Sequence, residues 1–338
     1  TTEIAGRSLT QIAWLRLRRD KVAMVSLTFL LVVVTLALTA PLLTRLVGVT
    51  PTAFYPDTVS DAGGLPIGRW GGVSLDHPLG VEPATGYDIF ARLLYGSRVS
   101  LLIAATGTFI TLVLGVTIGI IAGYARGWLD AALGRFMDII LAFPLLLILL
   151  ALSTPLTQRL ESMGLEAGLA RIMFIILVLS FFGWPYLARI VRGQVLSLRE
   201  REFVESAVSM GAGTPRILFR EILPNLWAPV LVYATLLLPT FVAAEASLSF
   251  LGVGLLPPTP SWGAMLAESV RYFTVLPSFL FIPGTYLFLV VLSFMFRSVY
   301  ALRDPAPWIF HDELLFAELP EDEQSAVLLE MASAELDF

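Results

Sequence analysis

Few side chains in this 338-residue chain could do chemistry, and the missing types narrow the possibilities first. Cysteine is absent, which removes disulfides, thiolate ligands and a thiol nucleophile. Histidine occurs only at His77 and His311, far apart in sequence, which argues against a histidine metal site or a Ser-His-Asp triad. Lys21 is the single lysine and is followed by Val22, so the Gly-Lys-Ser/Thr ending of a phosphate-binding loop is absent. No catalytic, cofactor-binding or metal-binding residue is expected. Two features keep chemical interest. One is the run at 202–225, EFVESAVSMGAGTPRILFREILPN, a charged interruption between long apolar stretches. The other is Glu245, a carboxylate deep inside an apolar run.

The elements that must position these residues are membrane spans. Charged residues make up 14% of the chain, against about 25% in soluble domains. Several apolar runs exceed the roughly 18 residues needed to cross a bilayer. The expected fold is therefore all-α and polytopic, with spans near 22–47, 101–122, 138–153, 172–190, 226–250 and 276–296. The first run is far longer than the apolar part of a signal peptide, and no clean A-x-A site follows it, so it reads as a retained anchor. With the N-terminus in the cytoplasm, fifteen Lys and Arg residues fall inside and seven outside, which favours both termini inside. The domain reading is then a cytoplasmic segment 1–21, a first span 22–47, an external loop 48–100, a five-helix core 101–303 containing the 202–225 segment, and a tail 304–338. The end of the external loop, from Asp88 to Ser100, places Ile89, Phe90, Leu93 and Leu94 at helical spacing around Arg92 and Arg98. That pattern predicts an interfacial helix on the outer leaflet. The loop is either a solvated connector or a surface for a partner.

The 202–225 segment reads as a polar helix, a break at Gly211-Ala212-Gly213, and a second short helix opened by Pro215. Pro224 and Asn225 are expected to end that helix and turn the chain back into the membrane. The second helix carries Ile217, Leu218 and Ile222 on one side and Arg216 and Arg220 on another. An apolar ridge with charged flanks suits docking into a groove on a soluble partner. An ordinary cytoplasmic loop with helical content has the same pattern.

The order E-x-A-x-x-x-G followed by I-L-P-N, at Glu205, Ala207, Gly211 and Ile222 to Asn225, resembles the EAA loop of ABC importer permeases. HPLGVEPATGYDIFARLLYGSRVSLL from His77, GWLDAALGRFMDIILAFPLLLI from Gly127, RGQVLSLREREFVESA from Arg192 and EASLSFLGVGLLPPTPSWGAML from Glu245 are similar to the dipeptide, oligopeptide and nickel permeases of C-subunit type. The resemblance covers about residues 10–305. It implies a type I importer permease fold and a pathway shared with a B-type sister permease. It further implies two ATPase subunits that use ATP and Mg inside, and a substrate-binding protein outside. Under that resemblance the coupling residues are Glu205, Ala207, Gly211, Thr214, Arg216, Ile217, Arg220, Ile222 and Pro224, with the coupling helix over 214–222, Gly211 as its hinge and Glu205 orienting the loop. This chain itself would be non-catalytic, a multi-pass protein of a bacterial or archaeal cytoplasmic membrane that contacts lipid and no nucleic acid. Di- and oligopeptides are the implied cargo, with nickel or another small cargo as the alternative.

Glu245 reads either as a residue of the transport pathway or as a packing partner of another span. Asp130, Arg135 and Asp138 are either solvated ends or an interhelical ion pair. Pro144, Pro185, Pro229, Pro239 and Pro283 are expected to kink or break spans. The chain departs from the family pattern after the last span, where FRSVYALRDPAPW replaces a GDGLRDALDP-like ending. The tail 304–338 then carries ten acidic residues and no Lys or Arg, and reads either as a frayed acidic end or as a docking segment for the ATPases or the sister permease. An ion-coupled secondary transporter would need ionisable residues through several spans and internal repeats, and neither is found.

Overall fold

Helix α1 (Lys21–Val47) starts where Asp20 accepts the Val22 and Ala23 amides at 2.9 and 3.0 Å, and it ends at Gly48 in the left-handed region (φ 84). A computed structural model describes residues 18, 20–60 and 64–303 of the chain. The tail 304–338, its charge, and most of the basic N-terminal segment lie outside the described residues. After the segment 48–88 comes α2 (Ile89–Tyr124), then α3 (Trp128–Ala142), α4 (Leu145–Ser162), α5 (Ala167–Leu198) and α6 (Glu202–Ser209). The chain continues through α7 (Thr214–Arg216), α8 (Trp227–Phe250), α9 (Trp262–Ser269) and α10 (Pro277–Arg303). Among the described residues, five helical runs are long and apolar enough to cross a membrane, or six if a bent pair is one span.

Three expectations change. The interfacial helix at 88–100 does not exist as a separate element, because α2 runs unbroken from Ile89 over 36 residues. At roughly 1.5 Å per residue it is about 54 Å long, well beyond the bilayer core. Arg92 interrupts the apolar pattern without interrupting the helix, since Glu82 lies 2.8 Å from it inside the protein. The third span is broken. α3 and α4 meet at 81° across Phe143 and Pro144, where the residue before a proline is pushed to extended backbone (Phe143 ψ 129). Pro185, Pro239 and Pro283 instead lie inside continuous helices, and Pro229 falls in the first turn of α8.

The third change concerns the helix after Gly213. It does not stop at Pro224 and Asn225. A π-helical turn at Ile217–Ile222 and a 3₁₀ turn at Leu223–Leu226 join α7 to α8, so that 214–250 is one helical run. In a regular α-helix the Pro224 ring would meet the Arg220 carbonyl. The wider turn just before it relieves that clash while the chain keeps its direction.

The core forms where α2 packs on α5 and α8, and where α10 packs on α8 and α1. The α2–α5 contact rests on Gly115, Gly119 and Gly123, a stripe at four-residue spacing that lets two spans approach closely. A Cβ at Gly119 would come within 2.7 Å of the Ala188 carbonyl and of Val191. Arg192 clamps α3 to α5 by donating to both Asp130 oxygens at 2.6 and 2.9 Å, and Arg189 pairs with Asp138. The ion-pair reading of Asp130 and Asp138 is thus the observed one, and Arg135 is exposed.

Candidate coupling segment

Residues 202–226 pack against the C-terminal ends of α2 and α5, at the end of α2 away from the 48–88 segment. In α6 the buried side is Val204 and Ala207, while Glu202, Glu205 and Val208 are exposed. Gly211 ends the helix at φ 81, with its amide on the Val208 carbonyl at 2.9 Å and the Ala212 amide on the Ala207 carbonyl at 3.0 Å. That pair of bonds is a Schellman cap, which needs a left-handed residue and so favours glycine. Glu205 borders a cleft of about 630 Å³ shared with Tyr124, Arg126, Arg199 and Glu200. Arg199 holds the cleft wall by donating to the Gly123 carbonyl at 3.0 Å.

The apolar ridge expected to meet a partner faces inward. Ile217 and Ile222 are 2% and 0% exposed, packed with Leu226 against Ile120, Leu187, Val191 and Val195. The ridge is covered by the chain's own α2 and α5. Thr214, Arg216, Phe219, Arg220 and Pro224 remain on the outside. Phe219, 59% exposed, and Met210, 77% exposed, were missed by sequence reasoning. The signal was available, because an apolar residue on the charged side of an amphipathic turn is out of pattern. Of the nine predicted coupling residues, the structure exposes Glu205, Gly211, Thr214, Arg216, Arg220 and Pro224, and buries Ala207, Ile217 and Ile222.

Glu245 lies in α8, fully buried within this one chain. Its Oε2 accepts from Ser100 of α2 at 2.6 Å, and its Oε1 accepts from Ser249 at 2.8 Å. The Ser249 hydroxyl also receives the Leu255 amide at 2.9 Å, and the Ser261 hydroxyl nearby caps α9 through the Ala264 amide. The carboxyl therefore ties α2, α8 and the approach to α9 together. The carboxyl has no exposed surface within this chain.

The segment before α2 is folded against the start of that helix through a small set of buried polar side chains. Arg92, buried, lies 2.8 Å from Glu82 in an ion pair too bent for a hydrogen bond, and its guanidinium stacks 4.7 Å from the Tyr87 ring centroid. Asp88 caps α2 through the Ala91 amide at 2.6 Å and meets His77 Nδ1 at 2.8 Å. Burial pushes the Glu82 carboxyl up to about 7, against the opposing pull of Arg92. Burial also raises Asp88, opposed by its amide bond to Ala91 and by His77.

A bundle of apolar helices, one of them prolonged into a charged segment docked at its end, is the architecture of a multi-pass membrane protein. Residues 115–306 match the family model described as binding-protein-dependent transport system inner membrane component. Residues 8–59 match the model for the N-terminal TM domain of oligopeptide transport permease C. The dipeptide transport system permease protein DppC of Alkalihalophilus pseudofirmus is 35% identical over 83% of this chain and 84% of its own. The oligopeptide transport system permease protein OppC of Haemophilus influenzae is 34% identical over 87% of each chain. The glutathione transport system permease protein GsiD of Pectobacterium atrosepticum is 38% identical over 66% of this chain and 70% of its own. An inward-facing MetNI methionine ABC transporter structure superimposes with TM-score 0.48 at 20% identity, over 63% of this chain and 95% of that one. The chain belongs to the family of binding-protein-dependent ABC importer permeases, within its dipeptide and oligopeptide C-type branch.

Proposed function

We propose that this permease imports short peptides, forming the pathway with a B-type sister permease and taking its energy from two ATPase subunits that use ATP and Mg. Three relatives named for dipeptide, oligopeptide and glutathione transport support a peptide cargo delivered by an external binding protein. Both termini and the 202–226 segment lie in the cytoplasm in this reading, in line with the bias of basic residues. The observation that carries the mechanism is the unbroken helical run 214–250. An ATPase that grips Thr214, Arg216, Phe219 and Arg220 moves α8 directly. Glu245, 31 residues along the same run, passes the motion to Ser100 of α2 and to α9. Alternating access then follows as rigid-body rocking of these spans. Glu205 and Arg126 face the same cleft and receive the opposite charges of the partner, while Gly211 fixes the angle between α6 and the helical run.

The test is reconstitution of the chain with its candidate subunits in proteoliposomes. Labelled dipeptide uptake should require both ATP and binding protein. It should fall at least tenfold in Glu205→Ala and in Arg220→Glu while the complex still assembles. Full uptake in both variants would sink the coupling role.

A further inference from the structure

An apolar loop is displayed at the outer end of α10. Trp70 is 78% exposed and Leu75 is 97% exposed, with Ile67 also outward. Trp70 is held at φ 57, an outlier for a bulky residue. Such strain persists only where the surroundings fix it. Here the Gly71 carbonyl accepts the Val81 amide at 2.9 Å, and Gly71 crosses Gly80 so closely that a Cβ on Gly80 would collide with it. The loop is also placed at a definite depth. A Cβ at Gly71 would lie 3.3 Å from Leu276 and 3.6 Å from the Ser278 hydroxyl, at the first turn of α10. From Pro277 to Phe296 that helix is a 20-residue apolar span, about the thickness of the hydrocarbon core. One turn along the face of Ser278, an exposed stripe of Phe281, Phe288 and Met295 begins at seven-residue spacing. The loop tip continues this apolar surface at the level where hydrocarbon gives way to headgroups.

We propose that residues 67–75 are a lipid anchor that seats Trp70 and Leu75 in the interface of the outer leaflet, about 5–10 Å into the headgroup and acyl boundary. Tryptophan is favoured at that depth because its ring is apolar and its N–H needs a polar partner. Exposed Arg69 beside it extends towards lipid phosphate. The anchor fastens the outer cap to the bilayer and orients the segment that ends at the α2 cap. It rests on the membrane location and the proposed orientation of the chain, and does not depend on the cargo or on ATP coupling.

The chain has no native cysteine, so single-cysteine spin labels report one site at a time. Trp70→Cys, Leu75→Cys and the water-facing control Asp57→Cys are labelled in the full-length chain, with its co-purifying subunits, in nanodiscs of phosphatidylcholine and phosphatidylglycerol. Oxygen should relax the labels at 70 and 75 more than a nickel chelate does, with the ratio inverted at 57. A nickel-dominated label at 75 means water and overturns the anchor. Low access to both reagents at 75 means protein cover, as by the binding protein or the sister permease, and also overturns it. If Trp70→Cys does not fold, Leu75→Cys carries the test. Quenching by brominated lipid, stronger in the native chain than in Trp70→Phe, reports on position 70, and equal quenching counts against the proposal.

Discussion

Replacing Ile222 by alanine distinguishes a ridge covered by the permease from a ridge offered to a partner. Ile222 is fully buried among Ile217, Leu226, Leu187 and Val191. The substitution removes three carbons, which is roughly 2.4 kcal/mol at about 0.8 kcal/mol each before any cavity term. With the cavity left beside α2 and α5, the total is about 2–5 kcal/mol. Phe219, on the opposite side and 59% exposed, should cost no more than about 0.5 kcal/mol when cut to alanine. The assay is thermal unfolding of the isolated permease in one detergent, followed by capture of the ATPase subunits. Ile222→Ala should lower Tm by about 5 °C or more, and Phe219→Ala should leave Tm within about 1 °C while weakening capture. Equal Tm values for Ile222→Ala and the native chain, with loss of capture only in Ile222→Ala, would refute the inward orientation of the ridge.

Other perturbations read separate parts of the structure. Gly119→Leu should block the α2–α5 approach and abolish recovery of folded protein, whereas Gly193→Ala, with nothing near its would-be Cβ, should be tolerated or gain about 0.5–1 kcal/mol; gel filtration after extraction distinguishes them. Glu245→Ala strands the Ser100 and Ser249 hydroxyls and should lower Tm by several degrees, with Glu245→Gln recovering part of the loss; a variant equal to the native chain in Tm would remove the node from the account. The outer cap should respond to pH through Glu82. Its folded pKa of about 7 lies above the ordinary 4.5, so its contribution is fully present below 4.5 and is lost as pH rises towards 7. Hydrogen exchange across 80–92 should therefore quicken between pH 4.5 and 7.5 after correction for intrinsic rates, and Glu82→Gln should flatten the change.

Much of the architecture was legible in the residues. The spans follow from apolar runs, and the charged segment stands out because nothing else between spans combines helix periodicity with such charge. Gly211 reads as a break from its sequence, and its Schellman cap is the local reason. The sidedness of Ile217 and Ile222 was not legible, since periodicity reveals an apolar face but not what covers it. The continuity of α2 is hidden by Asp88 and Arg92, whose side chains meet His77 and Glu82 in a loop that sequence alone does not fold back. Glu245 shows the same limit, because one of its partners is 145 residues away. The stripe Gly115, Gly119 and Gly123 is readable from its four-residue spacing, but the span that packs against it is not.

The central claim is that ATP hydrolysed elsewhere moves this permease through its 202–226 segment. The most direct measurement is labelled-dipeptide uptake by proteoliposomes holding the assembled complex, with binding protein outside and ATP or a proton gradient as the only energy source. Uptake should appear with ATP alone and collapse in Arg220→Glu with the complex intact. Uptake that persists without ATP under a proton gradient would contradict the account.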